Sequence, residues 1–350
     1  KFHIMFGYDV NISRYFSVTI SIASLVAFTA LLNQISNRKS VIFGLFILSI
    51  NIYHLGFSIE LRSYIFSFFF VILFIYLAFK KSFFDSNFKT NLFILNITLV
   101  LMLLCHPFTL LVVGSYIVYR FLEAIKNKNF NKDNFNKIFS LILTTILFLI
   151  FYFQTTLKII DPNALSGISP DWLWQVKPSF YTNFYFSKFF GSRILGIIHL
   201  VILIGLLINF YKSIISKFDI FTFFIILIFI SYFIPLIYGY IFSPILLDRY
   251  IFFILIPIIA LLSHFIFNIE SKIIRIFLIF LICGSSFLNN LLYENSFKQF
   301  YTSVYSTKPE IKKALKFINN SEIKVYTLKE DNRYSINTNL IVQNYLLKCK

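Results

Sequence analysis

The chain has 350 residues, with 32 Lys and Arg against 15 Asp and Glu, a net charge of +17, 58% hydrophobic residues and 13% charged ones. Soluble globular domains carry about 25% charged residues, so an ordinary soluble enzyme is excluded. The mean hydropathy of +0.78 points to an all-α polytopic membrane protein, in which a basic excess is first a marker of topology rather than of nucleic acid.

Cut at charges and turn residues, the apolar runs predict ten helices, over 15–33, 41–57, 64–79, 91–105, 107–119, 138–157, 193–211, 220–241, 250–267 and 273–290. A hydrocarbon crossing takes about 20 apolar residues, and lipid forces the backbone to bond within a helix. The fourth and fifth runs are short and meet at His106-Pro107, which predicts a tight or partly re-entrant hairpin.

The loops divide by charge. Arg38, Lys39, Lys80, Lys81, Lys89, Arg120, Lys126, Lys128, Lys132, Lys137, Lys212, Lys217, Lys272 and Arg275 fall in alternate loops, 14 of the 32 basic residues. The short loops of the opposite set, near 58–63, 105–107 and 242–249, hold only Arg62 and Arg249. The first set is therefore expected in the cytoplasm. Residues 1–14 then lie outside with no signal sequence before them, so a further span is expected upstream of Lys1.

A multi-span membrane domain over 1–292 is thus followed by an extracytoplasmic C-terminal segment, 293–350, of polar composition. There Pro309 opens a short helix through Asn319, and Glu322 to Leu328 alternates as a strand does. A lone strand needs partners, so this α/β segment reads as the start of a small domain cut short near Lys350. Cys105, Cys283 and Cys349 have no close spacing and give no thiolate metal site.

Acidic residues are few. Asp9, Glu60, Asp161, Asp171 and Asp248 are those expected near the outer membrane face between spans, and none lies mid-span, against an ion relay of the transporter kind. The sharpest cluster is Ser58-Ile59-Glu60-Leu61-Arg62-Ser63-Tyr64. Glu60 suits a general base or metal ligand there, and Arg62 suits a phosphate clamp. The plain alternative, which composition alone favours, is an exposed ion pair ending a span.

A second cluster, Leu247-Asp248-Arg249-Tyr250, opens the ninth run. Arg249 matches the planar geometry of a carrier phosphate, and interfacial anchoring is again the simpler account. His106, before Pro107, is either a metal or phosphate contact or a plain turn cap. His54, His199 and His264 have no paired ligands, and packing or helix–helix hydrogen bonds suit them. The outer loop 158–192 holds Trp172, Trp174, Tyr181 and Tyr185, as an interfacial belt or a platform for a sugar ring or lipid tail. No glycine-rich nucleotide loop occurs.

Three stretches together resemble the GT-C superfamily of membrane glycosyltransferases, in particular its bacterial dolichyl-phosphate-mannose-protein mannosyltransferase-like branch. Phe6-Gly7 followed by Arg14-Tyr15-Phe16-Ser17 resembles the family's loop leading into a span. Glu60-Leu61-Arg62-Ser63-Tyr64 is similar to its Glu-x-Arg-Pro-Tyr turn, with Ser63 replacing Pro. Arg249-Tyr250 with Pro257 is similar to its late-span Arg-Tyr. The likeness spans nearly the whole layout, each motif being short.

The resemblance implies an enzyme that transfers a hexose or pentose from a polyprenyl-phosphate donor, in the plasma (bacterial inner) membrane. The acceptor would be a glycan, lipid or protein on the extracytoplasmic face. It implies an acceptor-activating acid in the first outer loop. Asp9 is the acid left there, the usual one being expected upstream of Lys1. Glu60 matches the second acidic position, and Arg249 a carrier-phosphate contact. Arg62, Tyr64, His106, Asp248 and Tyr250 are the accompanying substrate-binding candidates. The resemblance fixes no cofactor, and a divalent metal stays open. Two other assignments are weighed: an O-antigen-type polymerase or ligase, which usually places its polar outer domain between late spans, and a lipid-linked substrate flippase, which would need paired broken spans.

Overall fold

The computed structural model of the chain describes residues 10–60, 62–80, 87–128, 132–159 and 176–291. Asp9, Leu61, Trp172, Trp174 and the C-terminal segment from residue 292 lie outside the described residues.

Helices occupy all ten of the predicted apolar runs, and no strand occurs among the described residues. Helix α1 (Val10–Ile35) is followed by α2 (Arg38–Ile50), whose N-cap Asn37 accepts the Ser40 N–H at 3.0 Å. The run expected to be one helix over 41–57 is instead broken: α2 and α3 (Ile52–Ser58) meet at an angle of 59°. Asn51 makes the break stable. Its Oδ1 accepts the Tyr53 and His54 N–H groups at 3.1 and 2.9 Å, and its Nδ2 donates to the Phe189 carbonyl at 2.8 Å. A break in lipid persists only when the freed backbone groups are satisfied by protein in this way.

Next come α4 (Tyr64–Phe79) and α5 (Phe88–Cys105), then a 3-10 turn, Pro107–Thr109, which leads into α6 (Leu110–Asn127). The expected hairpin at His106-Pro107 is therefore a junction between two full-length spans. The reason is that α6 runs on beyond residue 119. Arg120, which would end a span if bare, donates to Glu123 at 2.7 Å and to the Tyr116 hydroxyl at 3.0 Å.

Helix α7 (Lys132–Ile159) is joined to α5 by a polar bridge. Asn96 donates to Ser140 at 2.9 Å and accepts from Thr144 at 2.7 Å. Such contacts between spans contribute about 0.6–2 kcal/mol each.

Two short helices, α8 (Pro178–Asn183) and α9 (Phe186–Phe190), precede the long α10 (Arg193–Lys217) and α11 (Ile220–Ile241). Between α8 and α9 the chain turns through two consecutive left-handed residues, Phe184 (φ 50°) and Tyr185 (φ 63°). This conformation is costly for aromatic side chains. It is held by hydrogen bonds from Tyr232 to the Phe184 carbonyl and from Tyr185 to the Leu246 carbonyl, the latter at 3.1 Å.

A 3-10 segment, Asp248–Ile254, runs into α12 (Leu255–Phe267), and α13 (Lys272–Leu291) closes the described bundle. Every residue from Ile251 to Ser263 is buried, and α12 is packed on by α2, α10, α11 and α13. Outer helices show the opposite pattern. Leu147 on α7 and Phe280 on α13 are 58% and 77% exposed, each within a long apolar stretch of its helix. Contiguous exposed apolar faces of this size suit hydrocarbon, not water.

Among the described residues, seven helices are long and apolar enough to cross a membrane, or eight with α2 and α3 taken as one bent span. The protein is a helical, multi-pass membrane protein.

Contacts gather the basic loops at one end of the bundle. Ser36 bonds His264 at 2.9 Å, Lys126 donates to the Ser216 carbonyl at 2.7 Å, and Tyr119 donates to the Phe218 carbonyl at 3.1 Å. The α3–α4 turn, His106 and Asp248 belong to the opposite ends of the same helices.

Candidate functional site

At that opposite end three stretches far apart in sequence converge: the α3–α4 turn, the junction between α5 and α6, and the 3-10 segment before α12. Each is a point where a span begins or ends, so polar side chains can be held there without being placed in the bilayer centre.

Tyr64, the first residue of α4, is buried. Its ring centroid lies 5.4 Å from that of His106 and 6.4 Å from that of Tyr250. The His106 and Tyr250 rings are 4.9 Å apart, and Phe108 closes the group at 5.0 Å from Tyr250. Four rings thus form one aromatic wall at separations typical of tilted aromatic pairs.

Arg249 stands against this wall. Its guanidinium carbon is 5.4 Å from the Tyr250 ring centroid, within cation–π range. Tyr64, Tyr250 and Asp248 are the groups in its electrostatic reach. Its Nε is buried and has no hydrogen-bond partner among the described residues. An unbonded guanidinium N–H out of contact with water is costly, and it suits an arriving oxyanion.

His106 serves the fold as well as the site. It sits between α5 and the 3-10 turn, and its Nδ1 accepts the Phe108 N–H at 3.2 Å. Burial, with a smaller contribution from the Arg249 charge, holds the imidazole at about 4, well below its ordinary 6.5. The ring is therefore neutral at physiological pH.

Asp248 faces the other way, accepting the Tyr53 hydroxyl at 2.9 Å. Tyr53 in turn packs on Phe57, Phe189 and Phe252, so α3, α9 and the 3-10 segment are locked together at this residue. Asp248 also lies within electrostatic reach of Lys188 on α9, where it opposes the downward pull of burial on that ammonium. Burial and the Asp248 charge together push the Tyr185 phenol up.

Glu60 and Arg62 occupy the rim. Glu60 Oε2 is 4.0 Å from Arg62 Nε, and the Arg62 side chain is 56% exposed. Arg62 also lies within electrostatic reach of Tyr64, which places the rim pair beside the aromatic wall. An exposed pair of this length contributes little to stability, so the ion-pair account of these residues explains their presence only weakly.

Of the sequence candidates, the structure brings together Arg62, Tyr64, His106, Asp248, Arg249 and Tyr250, with Glu60 on the rim through Arg62. Asp9 lies outside the described residues. Lys188 was missed in the sequence. The signal available for it was a single cation inside the aromatic run Tyr185–Phe190.

The other histidines are engaged in packing. His54 bonds Ser21 at 3.3 Å, and His199 bonds the Leu195 carbonyl at 2.8 Å while stacking on Phe190. No group of three or more His, Cys, Asp or Glu that could hold a metal ion occurs among the described residues.

Chemically the site is rich in donors: a guanidinium, two phenols and a neutral imidazole face one another, with one carboxylate at the rim. It can hold an anion against an aromatic wall. Comparison of the sequence with protein-family models, characterised proteins and solved structures finds no match. The fold and site define a multi-pass membrane protein with a donor-rich side-chain cluster at the non-basic end.

Proposed function

We propose that the protein is a membrane glycosyltransferase of GT-C type, moving a sugar from a polyprenyl-phosphate donor to an acceptor at the extracytoplasmic face. The observation that supports this best is the convergence of Tyr64, His106 and Arg249-Tyr250, with the Arg249 Nε buried and unbonded beside the aromatic wall. In this reading all ten apolar helices cross or line the membrane and the basic loops are cytoplasmic. The C-terminal segment lies outside as a small α/β domain.

The chemistry follows from the charges. The acceptor hydroxyl attacks the anomeric carbon as the bond from that carbon to the phosphate oxygen breaks. The carrier phosphate leaves with the electron pair. Arg249 stabilises the charge that grows on it, since preformed donors cost no reorganisation at that moment. Glu60 takes the proton released by the acceptor. Arg62 holds Glu60 at the rim, and the aromatic wall flanks the carrier or the sugar. The lipid carrier delivers the sugar through the bilayer, so no nucleotide pocket is needed.

The test uses the complete protein in liposomes with a polyprenyl-phosphate hexose carrying a labelled sugar. Arg249→Ala and Glu60→Gln are each expected to lower transfer by about 10²-fold or more, with membrane insertion unchanged. Transfer at the wild-type rate by both variants refutes the assignment.

A further inference from the structure

The two nitrogens of His106 have different surroundings, and this difference settles what the ring can do. Nδ1 accepts the backbone N–H of Phe108, fixing the start of the 3-10 turn Pro107–Thr109. A neutral imidazole carries one proton, and the hydrogen bond at one nitrogen decides where it sits. With Nδ1 the acceptor, the proton is on Nε2. No hydrogen bond to Nε2 exists among the described residues. The titratable and charged groups facing the ring are Tyr64 from α4 and Arg249 and Tyr250 from the segment before α12.

We propose that His106 is a bifunctional residue whose Nδ1 caps the turn while its Nε2–H donates to an anionic phosphate oxygen bound beside Arg249. This rests on the carrier-phosphate reading above and deepens it, because it gives the site a second donor whose tautomer is set by the backbone. It also removes His106 from two other roles. A ring whose Nδ1 accepts a peptide N–H has no lone pair on Nε2 for a metal ion, and none there for taking a proton from an acceptor. A metal bound at Nε2 would move the proton to Nδ1, where it would oppose the Phe108 N–H. The neighbouring Arg249 charge disfavours both a cation and an imidazolium, which accords with the neutral ring.

Substitutions separate the two nitrogens. In His106→Asn the amide oxygen can replace Nδ1 as the cap, but no donor reaches the Nε2 position. In His106→Gln the longer amide can place its N–H near the Nε2 position, while the short-range cap is lost.

The experiment takes the full protein in phosphatidylcholine nanodiscs and measures binding of a polyprenyl monophosphate without sugar. Nitrogen NMR of histidine-labelled protein, with the His106 signals assigned by difference from His106→Asn, reads the tautomer. Expected are an Nε2–H tautomer that added Zn²⁺ leaves unchanged, and a loss of about 10- to 100-fold in affinity for His106→Asn without loss of thermal stability. His106→Gln is expected to bind more tightly than His106→Asn although it unfolds at lower temperature.

An Nδ1–H tautomer, coordination of Zn²⁺ by Nε2, or equal affinity of His106→Asn and wild type overturns the assignment of His106 and leaves the role of Arg249 standing. If the wild-type protein fails to bind the polyprenyl phosphate, the carrier-phosphate reading itself falls, and the ligand half of this inference falls with it.

Discussion

Replacing His106 by Asn should make the protein more tolerant of acid, with a magnitude that follows from the burial of the ring. In the folded protein the imidazole is held at about 4, against 6.5 when free. Between these values the unfolded chain binds a proton that the folded one excludes, so stability rises with pH across the window. The contribution of His106 is fully retained above 6.5 and is lost progressively as pH falls toward 4. A displacement of about 2.5 pH units at 1.36 kcal/mol each corresponds to roughly 3 kcal/mol. His106→Asn retains a group able to cap Phe108 but does not titrate. Its stability should therefore match wild type at pH 7.5 and exceed it by up to about 3 kcal/mol near pH 4. Denaturant unfolding in detergent, followed from pH 4 to 7.5 for both proteins, measures this difference. Parallel pH profiles would refute the claim that the ring is buried and neutral.

Two further expectations concern the scaffold that presents the site. At Gly196 on α10 an added Cβ would lie 2.3 Å from the Ser187 backbone nitrogen and 2.7 Å from the Phe186 carbonyl carbon. Since backbone cannot swing aside as a side chain can, Gly196→Ala should cost about 1–3 kcal/mol and displace α9, where Lys188 lies; thermal unfolding reads it. Asn51→Ala removes the cap of α3 and the bond to the Phe189 carbonyl together. The loss of a cap and of a buried hydrogen bond should lower the unfolding free energy by about 2–4 kcal/mol, measured by the same method.

Much of the architecture was legible because its causes are local. A run such as 220–241 is apolar at nearly every position, and lipid leaves a long apolar run no stable alternative to helix. The structure has α11 over the same residues, Ile220–Ile241. Boundaries were less legible where a long-range partner sets them. Asn51 reads as one tolerable polar residue inside an apolar run, and only the Phe189 carbonyl across the bundle makes it a stable break. Likewise Arg120 reads as the end of a span, and α6 continues because Tyr116, Glu123 and the Ala78 carbonyl bind its guanidinium.

The candidate site divides along the same line. Charge scarcity in an apolar chain was enough to single out Glu60, Arg62, His106 and Arg249 one at a time, and each had a plain anchoring or capping account. Their chemistry depends on company that no local pattern encodes. Tyr64, His106 and Tyr250 share a wall only because α4, the α5–α6 junction and the segment before α12 end at the same level. Lys188, on α9 beyond the left-handed pair Phe184–Tyr185, comes within electrostatic reach of Asp248.

By itself, then, the sequence determined that this is a membrane protein, where its long apolar helices run and which loops gather the positive charge, since solvation and backbone hydrogen bonding act residue by residue. Tertiary structure alone decided which polar ends meet and that the Arg249 Nε is buried without a partner among the described residues. Those properties belong to distances between helices, and the packing of α4 and the 3-10 turn Pro107–Thr109 on the 3-10 segment before α12 sets the distances.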